Sequence, residues 1–192
     1  MDRLMRTRLL LGDKNVEKLQ KSRVLVAGCG AVGSYAVEAL ARSGIGSLKL
    51  VDFDTVEVSN INRQLFALHS TVGQPKIDVA KARIADISPD ILVETKRVFL
   101  SDENADDLIK DVDFVVDAID SRDSKVALYR ACQKKGIPFI SSMGAALRTD
   151  ASKIVVDQMK NTHTCPLACV LRKMCKEQGI DMGFSVVYST EQ

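Results

Sequence analysis

Three glycines at a fixed spacing, Gly28, Gly30 and Gly33, stand between an apolar run, Val24 to Ala27, and an amphipathic stretch, Ser34 to Arg42. The run reads as a buried parallel strand and the stretch as a helix, so the glycines fall at the turn between them. Glycine there permits a tight turn, close approach of the backbone to a phosphate, and close packing of helix on strand. Ala31 and Val32 complete the turn, and the first amides of the helix offer an anion site. An acid at the end of the next strand would accept hydrogen bonds from a ribose, and Asp52 stands there after Leu48 to Val51. These residues alone specify a bound nucleotide, and NAD would be the obvious choice.

The segment beyond Asp52 argues against NAD. It runs from Asp54 through Asn60, Asn62, Arg63 and Gln64 to Lys76. Amides and cations beside a glycine turn suit a triphosphate whose charge must be stabilised during group transfer. Asp54 reads first as a loop-ordering residue and second as a ribose or phosphate neighbour. A further acidic signature, Asp117-Ala-Ile-Asp120, closes a later strand. At the carboxyl end of a parallel sheet Asp120 would face the phosphates and hold Mg²⁺ between their oxygens. A competing reading makes Asp120 the cap of the following helix, for which Ser121 and Asp123 are rivals. Taken together the set spells adenylyl transfer, in which ATP and a carboxylate give an acyl-adenylate and pyrophosphate. Arg63, Lys76 and Asp120 are its catalytic candidates.

Positioning these groups takes alternating strands and helices. Ile77, Ala80, Ile84 and Ile87 recur at helical spacing between Pro75 and Ile87, and Ile91 to Val98 reads as a strand. A short helix over Asp102 to Lys110 leads to the strand Phe114 to Asp117. A helix from Ser121 to Gly136 and a strand from Pro138 to Ser142 follow. This rhythm predicts an α/β fold with a doubly wound, mostly parallel Rossmann-like sheet. Lys153 to Val156 and Val186 to Tyr188, flanking a helix near Leu167 to Lys176, predict a C-terminal antiparallel extension. We expect one ATP-binding adenylating domain over 1–192, with a helical arm at 1–22, a core at 23–142 and the extension at 143–192. Ser189 to Gln192 form no obvious terminal element, which suggests truncation.

Between Arg6 and Ser142 the chain resembles the ubiquitin-activating-like superfamily, which includes activators of small sulfur-carrier proteins. The resemblance implies ATP at Gly28, Gly30, Gly33 and Asp52, with Arg63 and Lys76 on the phosphates and Asp120 on Mg²⁺. It also implies a homodimer in which Arg6 reaches the phosphates of the neighbouring subunit. Ala31 departs from the usual glycine at its position. Many sulfur-carrier activators hold structural zinc with two C-x-x-C pairs, and this chain has none. Arg6-Thr-Arg-Leu-Leu-Leu-Gly12, Thr164-Cys-Pro-Leu-Ala168 and Val187-Tyr-Ser-Thr-Glu-Gln192 look like the zinc-free branch, the tRNA threonylcarbamoyladenosine dehydratases. The reaction so implied activates the threonylcarbamoyl carboxylate on tRNA adenosine 37, which then cyclises with loss of AMP. No structural zinc is expected. The alternative is activation of the C-terminus of a ubiquitin-like or sulfur-carrier protein, with a sulfur-transfer or carrier protein as partner.

The cysteines leave choices open. Cys29 and Cys132 read as core fillers. His163, Cys165, Cys169 and Cys175 lack the spacing of paired zinc knuckles. Cys165 or Cys169 could be a nucleophile that forms a thioester with a carrier protein, and Cys165, before Pro166 at a helix start, reads first as packing and second as that thiol. The bulk of the sequence fits a globular protein: 192 residues, 46% apolar, 27% charged, net charge +2. With five cysteines in irregular spacing, no apolar run approaching the ~20 residues of a membrane span, and no signal-peptide core, the expectation is a cytoplasmic protein with reduced thiols. Lys125, Arg130, Lys134, Lys135, Arg172 and Lys173 are candidate tRNA contacts, though no aromatic residues interleave them. An NAD oxidoreductase and a degenerate, non-catalytic binding subunit are the remaining competitors.

Overall fold

A computed structural model describes residues 2–192. Two short helices open the chain, α1 (Met5–Leu11) and α2 (Asp13–Lys21). Four β/α steps and a closing strand follow: β1 (Arg23–Ala27), α3 (Gly33–Ser43), β2 (Ser47–Val51), α4 (Lys76–Ile87), β3 (Leu92–Lys96), α5 (Ala105–Leu108), β4 (Phe114–Asp117), α6 (Arg122–Lys135) and β5 (Phe139–Ser142). The last elements are β6 (Ile154–Gln158), α7 (Pro166–Glu177) and β7 (Ser185–Ser189). The strands form one sheet in the order β3-β2-β1-β4-β5-β7-β6.

The sheet divides the core because successive strand residues point to opposite faces. Leu25, Ala27, Val51 and Val115 pack on one side with α5, α6 and α7. Val24, Val26, Leu48 and Leu50 pack on the other with α3 and α4. Helices cover both faces, so β1 is apolar and buried from Val24 to Ala27 with no alternating polar side, and the polar residues of β4 and β5 gather at their carboxyl ends. Two helix ends follow directly from sequence: Gly44 and Gly136 end α3 and α6 in the left-handed conformation.

The C-terminal part differs from expectation in its connectivity. β6 and β7 are antiparallel to each other, but β7 enters between β5 and β6 and runs parallel to β5. The long return through α7 makes that parallel placement possible. The helix expected over Asp102 to Lys110 contracts to one turn, and soon after it Asp111 takes a left-handed φ of 59°. At the other end, α1 buries none of its residues, and Leu9 and Leu10 are exposed. Among the described residues no helix is long and apolar enough to cross a membrane.

A buried ion pair joins α6 to the end of β4. Lys125 and Asp117, both without solvent exposure, are 2.8 Å apart. Lys125 also donates to the Ser142 carbonyl at 2.7 Å, and the Ile119 amide donates to Asp117 at 3.1 Å. Ser141 donates to Asp117 as well, and the Tyr129 hydroxyl lies 2.6 Å from Ser141 Oγ. The network ties the end of β4 to the end of β5. It also removes Lys125 from the candidate tRNA contacts. Replacing Lys125 with Met would strand the Asp117 carboxylate in the core, a loss expected to cost about 3–5 kcal/mol. Urea unfolding should register that cost, and the double variant Lys125→Met/Asp117→Asn should recover part of it.

Candidate active site

The strand order reverses direction at β1 and β4, and the chain leaving their carboxyl ends turns to opposite faces of the sheet, which leaves a crevice above the paired strand ends. A cavity of about 560 Å³ occupies it. Its floor is the glycine turn after β1. Gly28 has φ +87°, and a Cβ there would lie 2.6 Å from the Ala118 carbonyl oxygen at the end of β4. Gly33 opens α3 so close to the turn that a Cβ would stand 1.7 Å from the Gly28 oxygen. Any side chain at either position would push the turn out of the crevice. Gly28, Gly30, Ala31 and Val32 line the cavity. α3 has no side-chain N-cap, so the positive end of its dipole faces the same space.

Asp52, at the end of β2, is buried and turned inward. One carboxylate oxygen accepts the Cys29 amide at 2.6 Å and the other the Asp54 amide at 2.8 Å. Each oxygen keeps a further lone pair for a ligand hydroxyl. Asp54 accepts a hydrogen bond from Lys76 Nζ at 2.8 Å, at the start of α4, and both residues line the cavity. A phosphate arriving here would compete with Asp54 for the Lys76 ammonium. Arg63 reaches the cavity from the preceding loop, held by the Ser59 carbonyl and the Asn62 side chain, each at 2.9 Å. Gln64 is buried beside it.

Asp120 lies on the opposite wall, exposed to the cavity and without a hydrogen-bond partner among the described residues. The cap of α6 is Ser121, whose Oγ accepts the Ser124 amide at 3.5 Å. Asp120 therefore does not cap α6.

Four expected ligand residues do not line this cavity. Asn60 is buried and uses its side-chain oxygen to accept the Glu57 amide at 3.2 Å, closing the 3₁₀ turn Val58–Asn60. Asn62 braces Arg63. Gly33 packs the helix start, one residue past the lining. Arg6 is exposed on α1, outside the cavity of its own chain. The Asn-x-Asn-Arg-Gln pattern thus builds the loop that aims Arg63, and only its last two residues reach the cavity.

Sequence reasoning also missed lining residues. Phe53 and Phe99 meet edge to face at 5.2 Å, both half-exposed, and with Val98 and Ile119 form an apolar flank next to Asp52. The only trace of this in sequence is Phe53 between two acids. On the far side Ser142, Met143, Gly144, Ala145, Ala146 and Leu167 form a wall with no charged side chain.

A sequence model of the ThiF family matches residues 1–184. The chain belongs to the ThiF family. The tRNA threonylcarbamoyladenosine dehydratase of Bacillus subtilis is 46% identical over 187 residues, which are 97% of this chain and 74% of that protein. The solved structure of the Escherichia coli tRNA N6-threonylcarbamoyladenosine dehydratase in complex with ATP superposes with a TM-score of 0.95 at 36% identity. It covers 98% of this chain and 81% of that one. A molybdopterin-synthase adenylyltransferase of Haemophilus influenzae is 36% identical over 148 residues, 77% of this chain and 60% of its own length.

Within this ThiF family chain the thiols stand apart from the site. Cys29, Cys132, Cys165 and Cys175 are buried and Cys169 is exposed. Burial pushes the Cys132 and Cys175 thiols up to about 12 and about 11, and raises Cys29 as well. Cys165 caps α7 behind Gly144, and none of the five lines the cavity. Among the described residues no three His, Cys, Asp or Glu side chains converge to hold a metal ion. A thiol reagent at pH 8 should therefore modify Cys169 alone in the folded protein and all five after denaturation, counted by intact mass. Rapid native modification of a second cysteine would contradict this burial pattern.

Proposed function

We propose that this chain is an ATP-dependent tRNA threonylcarbamoyladenosine dehydratase. The observation that carries the reading is the two-part cavity. A half rich in cations and amides (Arg63, Gln64, Lys76 and the turn after β1) continues into an uncharged half that offers a substrate no thiol and no charged group. A reaction whose nucleophile belongs to the substrate needs only that. The identity to the Bacillus subtilis enzyme over nearly the whole chain supports it.

In this reading Asp52 accepts the ribose hydroxyls, and Phe53, Val98 and Phe99 flank the base. The amides of Gly30, Ala31 and Val32 with Arg63 and Lys76 hold the β- and γ-phosphates. The threonylcarbamoyl carboxylate on adenosine 37 attacks the α-phosphorus and pyrophosphate leaves with the negative charge that Arg63 and Lys76 offset. A nucleophile of the same acyl group then attacks the activated carbonyl, expelling AMP. The net change is loss of water from the nucleoside. Asp120, an unpartnered carboxylate facing the phosphate region, fits a Mg²⁺ ion that takes its other ligands from phosphate oxygens and water. That ion would neutralise phosphate charge.

A homodimer is part of the same proposal. Helix α1 presents Leu9 and Leu10 to solvent next to Arg6, which suits a second copy covering the arm and receiving Arg6 at its phosphates.

Purified protein with ATP–Mg²⁺ should release AMP only when threonylcarbamoyl-modified tRNA is supplied, and the nucleoside should lose one water by mass. AMP release driven instead by a ubiquitin-like protein would replace this reading with the carrier-protein one. Arg63→Ala and Asp120→Ala should each lower kcat by about 10²–10³-fold while the thermal transition stays within a few degrees. Near-normal turnover in either would remove that residue from the site. Cys165→Ala should keep turnover within a few-fold, whereas a well-folded but inactive variant would require a thioester route.

A further inference from the structure

Leu147 combines three properties that an ordinary loop residue avoids. Its side chain is 97% exposed, its φ of 63° lies in the left-handed region, and it directly follows Ala146 in the uncharged wall of the cavity. A leucine in that conformation carries steric strain, and glycine or asparagine would relieve it. The loop is nonetheless fastened on both sides. The Met143 amide donates to the Val187 carbonyl at 2.9 Å, and the Arg148 amide to the Ala145 carbonyl at 3.2 Å. The Arg148 guanidinium donates to the Glu191 and Thr164 carbonyls. The Glu191 carboxylate accepts the Thr149 and Asp150 amides, each at 2.9 Å. An apolar side chain is thus held out into solvent, one residue past the cavity lining, by a braced loop.

Resting on the tRNA reading above, we infer that Leu147 is a wedge for the RNA: it packs against the bases of the anticodon loop when nucleotide 37 turns out of the stack into the cavity. The acyl group hangs from a base. A base within a stacked loop cannot bring its substituent into a concave site lined by Asp120, Gly144 and Ala145 unless it leaves the stack. An apolar side chain entering the vacated step offsets part of the lost stacking. Charge at the mouth suits the same occupant. Arg122, beside the lining residue Ser121, is exposed and has no carboxylate partner among the described residues. By contrast Arg130 and Lys134, two of the residues that charge alone nominated for RNA contact, are paired with Asp102 and Asp106. Arg122 is free to meet a backbone phosphate.

The test uses the full chain with ATP–Mg²⁺ and an anticodon stem-loop bearing threonylcarbamoyladenosine. Leu147→Gly removes the wedge and relieves the backbone, so its melting temperature should hold or rise. Its Kd for ATP should stay within twofold, and its KM for the stem-loop should rise about tenfold or more. Leu147→Met, which keeps an apolar tip, should restore most of that loss. Arg122→Gln should raise the same KM and flatten its salt dependence by about one phosphate contact. A Leu147→Gly variant whose stem-loop KM stays within twofold of wild type overturns the wedge while leaving the dehydratase reading intact. A wild-type protein that ignores the stem-loop overturns both.

Discussion

The backbone of Gly28 lies against that of Ala118 with no room for a Cβ between them, and the arrangement of the site follows from that contact. It brings the end of β1 onto the end of β4 at the place where the sheet changes direction. The glycine turn then has one course open to it, over the crevice and into α3. Asp52 locks that course from the neighbouring strand, because a single carboxylate holds the amides of both Cys29 and Asp54. The buried acid at the end of β2 is also the residue that joins the turn to the loop carrying Arg63. Charge placement and backbone geometry are therefore one feature here.

The two walls of the cavity are built by different means. The phosphate side relies on pairs that a ligand can rearrange. Arg63 sits on neutral oxygens, which a phosphate would replace with a charged partner, and Lys76 sits on Asp54, an ionic partner that a phosphate would share or displace. The far side relies on fixed burial. Lys125, Asp117, Ser141 and Tyr129 form a solvent-free network that sets the spacing between the ends of β4 and β5, and with it the distance from Asp120 to Ser142. A low-dielectric network of this kind resists distortion, since breaking one member leaves the others unpaired. In the proposed reaction the adaptable side would take the nucleotide, which binds and leaves, and the rigid side the acyl group, which must be held in one orientation.

Much of this is legible in the sequence. The glycine spacing, the strand-end acids and the alternation of apolar runs lead to the sheet, its parallel core and the crevice, because each depends on local periodicity and on turn chemistry. Ser121 as the cap of α6 is one of the options that the sequence offers. Contacts between segments far apart in the chain are hidden. Asn60 and Asn62 look like ligands because amides beside phosphate-binding cations usually are, yet their side chains are used in closing a 3₁₀ turn and bracing Arg63. Lys125 looks like a surface cation because lysines usually are, and nothing in the sequence marks that Asp117 lies below it.

The sequence by itself determined the kinds of group present and the order in which the chain delivers them: a glycine turn, the strand-end acid Asp52, the cations Arg63 and Lys76, and the acid Asp120. These depend on residues close together in the chain, where covalent geometry and hydrophobic period decide the outcome. Only the tertiary structure decided which of those groups share one cavity. It left Asn60, Asn62 and Gly33 outside the lining, brought Phe53 to Phe99, and held the strained Leu147 in solvent one residue past the lining. Such placements depend on strand order and on burial across segments far apart in the chain, and no local pattern encodes them.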